Sequence, residues 1–191
     1  MRLAAAFAAA VLAAGCLTAQ PPLEPRYFTP VVPRASPPDP THGGDLLRVR
    51  RVRAAAYLRD RMVWRNGVEI GFYDLLRWTE SPARFAQAAL EDELFDRRGF
   101  VRTSSVNAAS LKSSLEAFDE LLAPAHEAAV ALDVVLTNAK GETLIDRTFE
   151  ARKPISGGDP KDVADALGAA LAEVVGQVGT AAAEAAGSHA F

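Results

Sequence analysis

The chain has 191 residues, 49% of them hydrophobic and 24% charged, with a mean hydropathy of +0.03 and a formal net charge of −3. That length supports one domain with a sizeable core of its own, and the acidic balance argues against a nucleic-acid partner, whose phosphates need a basic face. Cys16 is the single cysteine, which excludes an internal disulfide and a cysteine-rich zinc site.

The first sixteen residues read as an export leader. Arg2 is a short positive region, residues 3–14 are apolar, and the stretch ends in Leu12-Ala13-Ala14-Gly15-Cys16. It is too short to cross a hydrocarbon core of about 30 Å, which takes about 20 apolar residues, and small residues before a cleavage point mark an exported precursor. A small-residue run ending in cysteine further resembles the bacterial lipobox, with cleavage after Gly15 and lipidation of the Cys16 thiol. The lipobox usually has Leu, Val or Ile where this chain has Ala13, and here Leu12 stands one step earlier. The other reading is an ordinary signal peptide cut elsewhere, for example after Ala19, with Cys16 discarded. Residues 17–191 show no second run of about 18 apolar residues, so the expected attachment is a lipid anchor and not a span. One acyl chain binds a membrane weakly and stable anchoring needs more than one, a need that the several chains of a bacterial lipoprotein would meet.

Residues 17–44 carry eight of the twelve prolines. Proline removes backbone donors and favours the extended polyproline conformation, which predicts a semi-rigid spacer. Tyr27-Phe28-Thr29 interrupts it as a candidate short edge strand, and His42-Gly43-Gly44 reads as a hinge. The expected organisation is a signal peptide over 1–15, a lipidated cysteine and tether over 16–44, a domain over 45–180 and an alanine-rich tail over 181–191.

Within the domain, residues 46–52 alternate, with Leu47 and Val49 opposed to Arg48 and Arg50, the period-2 pattern of a half-buried strand. Residues 62–65 and 69–73 flank Asn66-Gly67, a strong hairpin signal because both residue types tolerate positive φ. Ser81-Pro82 predicts a helix start, Ala86, Leu90 and Leu94 an apolar stripe, and Gly99 its stop. Residues 100–105 read as a short strand. Residues 111–122 are ambiguous: Leu111, Leu115, Phe118 and Leu122 fit a helix, whereas Leu111, Ser113, Leu115 and Ala117 fit a strand, and periodicity alone favours the helix. Residues 128–137 and 143–151 form a hairpin about the turn 138–141. Asp159-Pro160 then opens a long helix with Val163, Leu167, Ala170, Leu171, Val174 and Val178 on its core face, and Asp162 and Asp165 near its positive end. Its amphipathic pattern fades after Thr180. The predicted fold is α+β, a mostly antiparallel sheet of six or seven strands with two helices packed on one face.

The order of these features resembles a family. The lipobox and tether are followed by LRVRRVRAAAYLRDRMVWRNG, YDLLRWTESPARFAQAALEDEL, LKSSLEAFDELLAP, a paired-strand segment over 126–155 and the DVADALGAALAEVV helix. Together they look like the auxiliary lipoprotein component of ABC-type intermembrane transport systems, which includes the paraquat-inducible lipoprotein working beside an MCE (mammalian cell entry) domain protein. The resemblance covers roughly residues 46–179, rests on Tyr57-Leu58, Val63-Trp64-Arg65, Arg77-Trp78 with Pro82, Phe118 and the final helix, and contains no catalytic motif. It implies a periplasmic protein on the outer membrane that assists lipid traffic, with an MCE-domain protein, a permease and an ATPase as partners and no cofactor of its own. It also implies a strand over 111–122, which is adopted here. Leu17 after the cysteine, in place of Asp, implies outer-membrane sorting under the rule known for enteric bacteria.

Catalytic chemistry is thin. His42, His126 and His189 lack the spacing of a metal site and read as solvated surface residues. Ser104, Ser105, Ser113 and Ser114 lie in no Gly-x-Ser-x-Gly elbow, and Gly157-Gly158 lacks the Lys and Ser/Thr of a phosphate loop. Glu91, Asp92 and Glu93 splay around a helix and read as a solvated face. A non-enzymatic role is therefore expected. Two features point to binding. Arg48, Arg50, Arg51, Arg53, Arg59, Arg61 and Arg65 fall within eighteen residues of an otherwise acidic chain; Arg48, Arg50, Arg51 and Arg53, with the neighbouring Tyr57 and Leu58, form the candidate surface for a partner or an anionic headgroup, since guanidinium pairs bidentately with phosphate or carboxylate. The plainer account is a basic edge that resists aggregation. Trp64, Phe72, Tyr73 and Trp78 could line a groove, or simply pack the core. Self-association through the last helix is a further possibility that the sequence leaves open. The alternative function, of a different class, is an outer-membrane lipoprotein that activates a cell-wall synthase by contact.

Overall fold

A computed structural model describes residues 23–34 and 44–188. Gly15, Cys16, His42 and His189 lie outside them. Among the described residues nine strands, two α-helices and one π-helical segment follow in order: β1 (Arg26–Phe28), β2 (Leu46–Val49), β3 (Arg53–Ala54), β4 (Arg61–Asn66), β5 (Glu69–Trp78), α1 (Pro82–Glu91), the π segment (Asp92–Arg97), β6 (Val101–Arg102), β7 (Ala109–Ala123), β8 (Glu127–Thr137), β9 (Thr143–Pro154) and α2 (Pro160–Ser188).

The organising strand is β7. One of its edges pairs antiparallel with β8 along its length, and β8 pairs antiparallel with β9. Its other edge is tiled in succession by β2, β3 and β4, all parallel to it, in the registers Leu47↔Ala109, Arg53↔Ser114 and Trp64↔Glu120. The sheet is therefore mixed, not mostly antiparallel: β1–β5, β2–β6, β2–β7, β3–β7 and β4–β7 are parallel. Local hairpin signals are visible in sequence, but parallel neighbours arise only when a long connection brings the chain back in the same direction. Here β5, α1 and the π segment supply that return between β4 and β7.

The region 111–122 is strand. An irregularity between Leu115 and Ala117 shifts the alternation by one, so Leu111, Leu115 and Phe118 all reach the core. That shift produces the helix-like spacing in the sequence. The first hairpin forms, but Asn66 pairs with Glu69, and the loop is Gly67-Val68. Only Gly67 has positive φ (60°), as a two-residue loop with glycine in its first position requires.

Ser81 precedes α1 in extended conformation with Pro82 next, and its side chain makes no capping bond. In α2, the predicted core residues Val163, Leu167, Ala170, Leu171, Val174 and Val178 are all buried. The helix continues through the predicted alanine-rich tail to Ser188, burying Ala181 and Ala182. Contrary to the expectation of no second run of about 18 apolar residues, it is long and apolar enough to cross a membrane by length and composition, yet 61% of that window is buried inside the fold. It packs against β8 and β9 and meets α1.

Part of the expected tether is docked. β1 pairs with β5 at the edge of the sheet, Pro30 is buried, and a Cβ at Gly168 would come within 2.1 Å of the Val31 carbonyl oxygen. Glycine on α2 therefore lets the incoming backbone lie directly on the helix.

Candidate functional site: the outward sheet face

Alternation divides β7 and β8 between two environments. Leu111 and Leu115, with Leu132, Val134 and Leu136 opposite, face the core, while Lys112, Ser114, Asp133 and Val135 stand on the other side of the sheet. On this outward face Arg50, Arg51 and Arg53 join Lys112, Ser114 and Asp133 around a hollow of about 310 Å³. Backbone geometry holds it together. The Arg50 N–H donates to the Leu111 carbonyl at 2.8 Å, placing Arg50 beside Lys112, and Arg53 is in register with Ser114.

Of the predicted site residues, Arg50, Arg51 and Arg53 converge here. Arg48 lies one row away, in register with Ser110, and its Nε is buried with no hydrogen-bond partner among the described residues. Leu58 is not at the surface: it is 4% exposed and belongs to the core, because an apolar side chain after the β3 excursion gains more by burial than it could at a wet interface. Tyr57 also departs from the cluster and joins a second one further along the same face. There Arg65 Nη2 and Nε donate to Asp119 Oδ2 at 2.7 and 2.9 Å, and the Tyr57 hydroxyl lies 3.1 Å from the same oxygen. Asp119 is fully buried.

The sequence model of the family described as "ABC-type transport auxiliary lipoprotein component" matches residues 28–179. The chain belongs to this family. Among curated proteins none matches it. Solved structures share its fold. Protein XCC0632 from Xanthomonas campestris, described there under the family DUF330, is 21% identical, with a TM-score of 0.73 over 85% of this chain and 99% of that one. The hypothetical protein CT253 from Chlamydia trachomatis is 5% identical, with a TM-score of 0.52 over 76% of this chain and 99% of its own.

Elsewhere in this auxiliary lipoprotein several residues read as surface from sequence have buried partners. His126 Nε2 lies 2.6 Å from Glu120 Oε1, and the Tyr73 hydroxyl donates to Glu120 Oε2 at 2.7 Å. Glu120 is itself buried, so His126 is not simply a solvated residue. Nor are the three carboxylates of the first helical region a solvated face. Glu93 is 1% exposed and paired at 2.8 Å with both Arg97 and Arg98, Asp92 pairs with Arg34, and Glu91 pairs with Arg102. The π segment is the missing signal, since its wider turn changes which side chains face inward. Trp78 lies in the core, edge-to-face with Phe118 and Phe85, whereas Phe72 lies beneath the Arg61 guanidinium. Among the described residues no group of three or more His, Cys, Asp or Glu could hold a metal ion.

The tyrosines set a pH response. Burial first, and the Asp119 charge second, push the Tyr57 hydroxyl up to about 12 from 10.0. Burial and the bond to Glu120 raise Tyr73 likewise. For Arg65, burial opposes the charge, but the bonds and charge of Asp119 outweigh it and raise its pKa. A tyrosine whose folded pKa is raised contributes stability that is complete below its unfolded pKa and is lost as pH rises through the folded value. Stability to urea is thus expected to hold up to about pH 10 and fall toward pH 12, and the Tyr57→Phe/Tyr73→Phe variant will show a flatter decline. Equal slopes in the two proteins would refute the assignment.

Proposed function

We propose that this auxiliary lipoprotein serves an MCE-type intermembrane lipid transport system from the periplasmic side of the outer membrane. Acylated Cys16 is the anchor, and the proline-rich segment provides reach before it docks along β5 and α2. The folded domain is a non-catalytic contact surface. An MCE-domain protein is its partner, and an ABC permease and ATPase in the same system supply the energy. The family match over residues 28–179 carries this reading, because it covers nearly all of the domain and names an auxiliary role in ABC-type transport. The outward sheet face supports it: arginines clustered without carboxylate partners among the described residues are suited to an acidic surface or an anionic headgroup.

The test is affinity purification of the tagged full-length protein from solubilised envelope, with mass spectrometry of partners and of the N-terminal peptide. The expected result is an MCE-domain protein together with a diacylglyceryl-modified Cys16. A cell-wall synthase recovered in its place, or an unmodified N-terminus beginning after Cys16, would overturn the reading. Cys16→Ser is expected to move the protein from the membrane fraction to the soluble fraction.

A further inference from the structure

The arginines of this chain divide into two groups. Arg26, Arg34, Arg61, Arg65, Arg77, Arg84, Arg97, Arg98 and Arg102 each have a carboxylate within 4.0 Å. Arg48, Arg50, Arg51, Arg53, Arg59, Arg147 and Arg152 have none among the described residues, although the chain carries more acids than bases; of these arginines, Arg50, Arg51 and Arg53 gather in one place. With Lys112 they surround one hollow, and its single carboxylate, Asp133, accepts a hydrogen bond from the Thr148 hydroxyl at 3.3 Å. Like charges gathered on adjacent strands repel one another, and the one carboxylate of the hollow, Asp133, is outnumbered four to one by the cationic groups around it. One row along the same face, Arg48 Nε and Ser110 Oγ are both buried without hydrogen-bond partners among the described residues. Buried donors are ordinarily satisfied, and each exception calls for an explanation.

We infer that the hollow bounded by Arg50, Arg51, Arg53 and Lys112 is a binding site for a phosphate-type oxyanion, either the phosphodiester of a phospholipid headgroup or free phosphate. The planar forks of three guanidinium groups match phosphate oxygens bidentately, and the ammonium group adds a point charge. Ser114, in register with Arg53, brings a hydroxyl to the same wall. A hollow of about 310 Å³ admits a headgroup but not a pair of acyl chains, so the site reads the polar end of a lipid. The inference deepens the transport reading and rests on it for the lipid source, but not for oxyanion binding itself.

The test is arginine-selective labelling of the full-length acylated protein in non-ionic detergent with phenylglyoxal, followed by peptide mass spectrometry. Inorganic phosphate and short-chain phosphatidylglycerol are compared with chloride at equal ionic strength. At four times its Kd a ligand occupying the site slows labelling of Arg50, Arg51 and Arg53 about fivefold, while Arg59 and Arg147 react unchanged. Protection by phosphatidylglycerol alone identifies a headgroup site, and protection by phosphate as well, or by phosphate alone, identifies a site for the small anion. Arg50→Gln/Arg53→Gln should abolish protection of Arg51 without lowering the urea midpoint, since it removes like charges that repel. Equal protection by chloride, or none by either ligand, would overturn the inference, as would protection by an acidic partner protein only. Protection without an MCE-domain partner would retain the site and remove the transport reading; the partner without protection would do the reverse.

Discussion

Replacing Phe118 by alanine is expected to lower the free energy of unfolding by about 3–5 kcal/mol, the range for a large aromatic removed from a tight core. Phe118 is fully buried on the core side of β7, the strand that joins both halves of the sheet. Its ring meets Trp78 edge-to-face at 5.4 Å and 71°, and Trp78 in turn meets Phe85 of α1 at 6.1 Å and 78°. The substitution therefore opens a void at the point where β5, α1 and β7 converge, and it removes an aromatic pair worth about 0.5–1.5 kcal/mol beyond burial. Since domains are stable by only about 5–15 kcal/mol, the variant should be marginal at 37 °C. Phe118→Leu retains most of the volume and should cost less than about 1.5 kcal/mol. Urea titrations followed by tryptophan fluorescence measure both. A loss below about 1 kcal/mol for the alanine variant would mean that the neighbours collapse into the space and that the aromatic chain is not central.

Asp119→Ala, one residue further on and on the opposite face, is expected to cost about 2–3 kcal/mol. Breaking a wholly buried ion pair costs about 3–5 kcal/mol because a charge is left behind without compensation. The Arg65 side chain is 30% exposed while Asp119 is fully buried, so water recovers part of that loss. The Tyr57 hydroxyl keeps an acceptor in the Glu116 carbonyl at 2.9 Å, but the Arg65 fork keeps only the Tyr57 oxygen at 3.2 Å. Asp119→Asn retains an oxygen acceptor and should fall between the wild type and the alanine variant. Equal stability of the wild-type and alanine proteins in urea would show that the cluster is a solvated surface pair. Added salt distinguishes the two cases as well, since a buried pair is screened far less than an exposed one such as Lys161–Asp165.

How much of this was legible in sequence depended on the range of the interaction. The β8–β9 hairpin, the N-terminus of α1 and the core face of α2 are written in neighbouring residues. Asn138, for example, accepts bonds from the Lys140 and Glu142 N–H groups and so shapes its own turn. The pivot at Gly67-Val68 was misplaced by one residue, because Asn-Gly marks a turn without fixing which residues occupy its centre. The burial of Glu93 was hidden because an α-helical wheel spreads Glu91, Asp92 and Glu93 around the axis, and nothing local announces a π segment. The arginine cluster was conspicuous in sequence, but whether its members had carboxylate partners was not.

By itself the sequence determined the β8–β9 hairpin, the start of α1, the core face of α2, the acidic balance and the leader pattern ending in Cys16, because each depends on residues within a few positions of one another. Tertiary structure alone decided that β2, β3 and β4 share one edge of β7, that Val31 rests on Gly168, and that Asp119 pairs with Arg65 while Arg50, Arg51 and Arg53 pair with no carboxylate among the described residues. Those outcomes depend on groups tens of residues apart, brought together only when the strands register and apolar burial closes the core, and no local pattern records which charge will meet which.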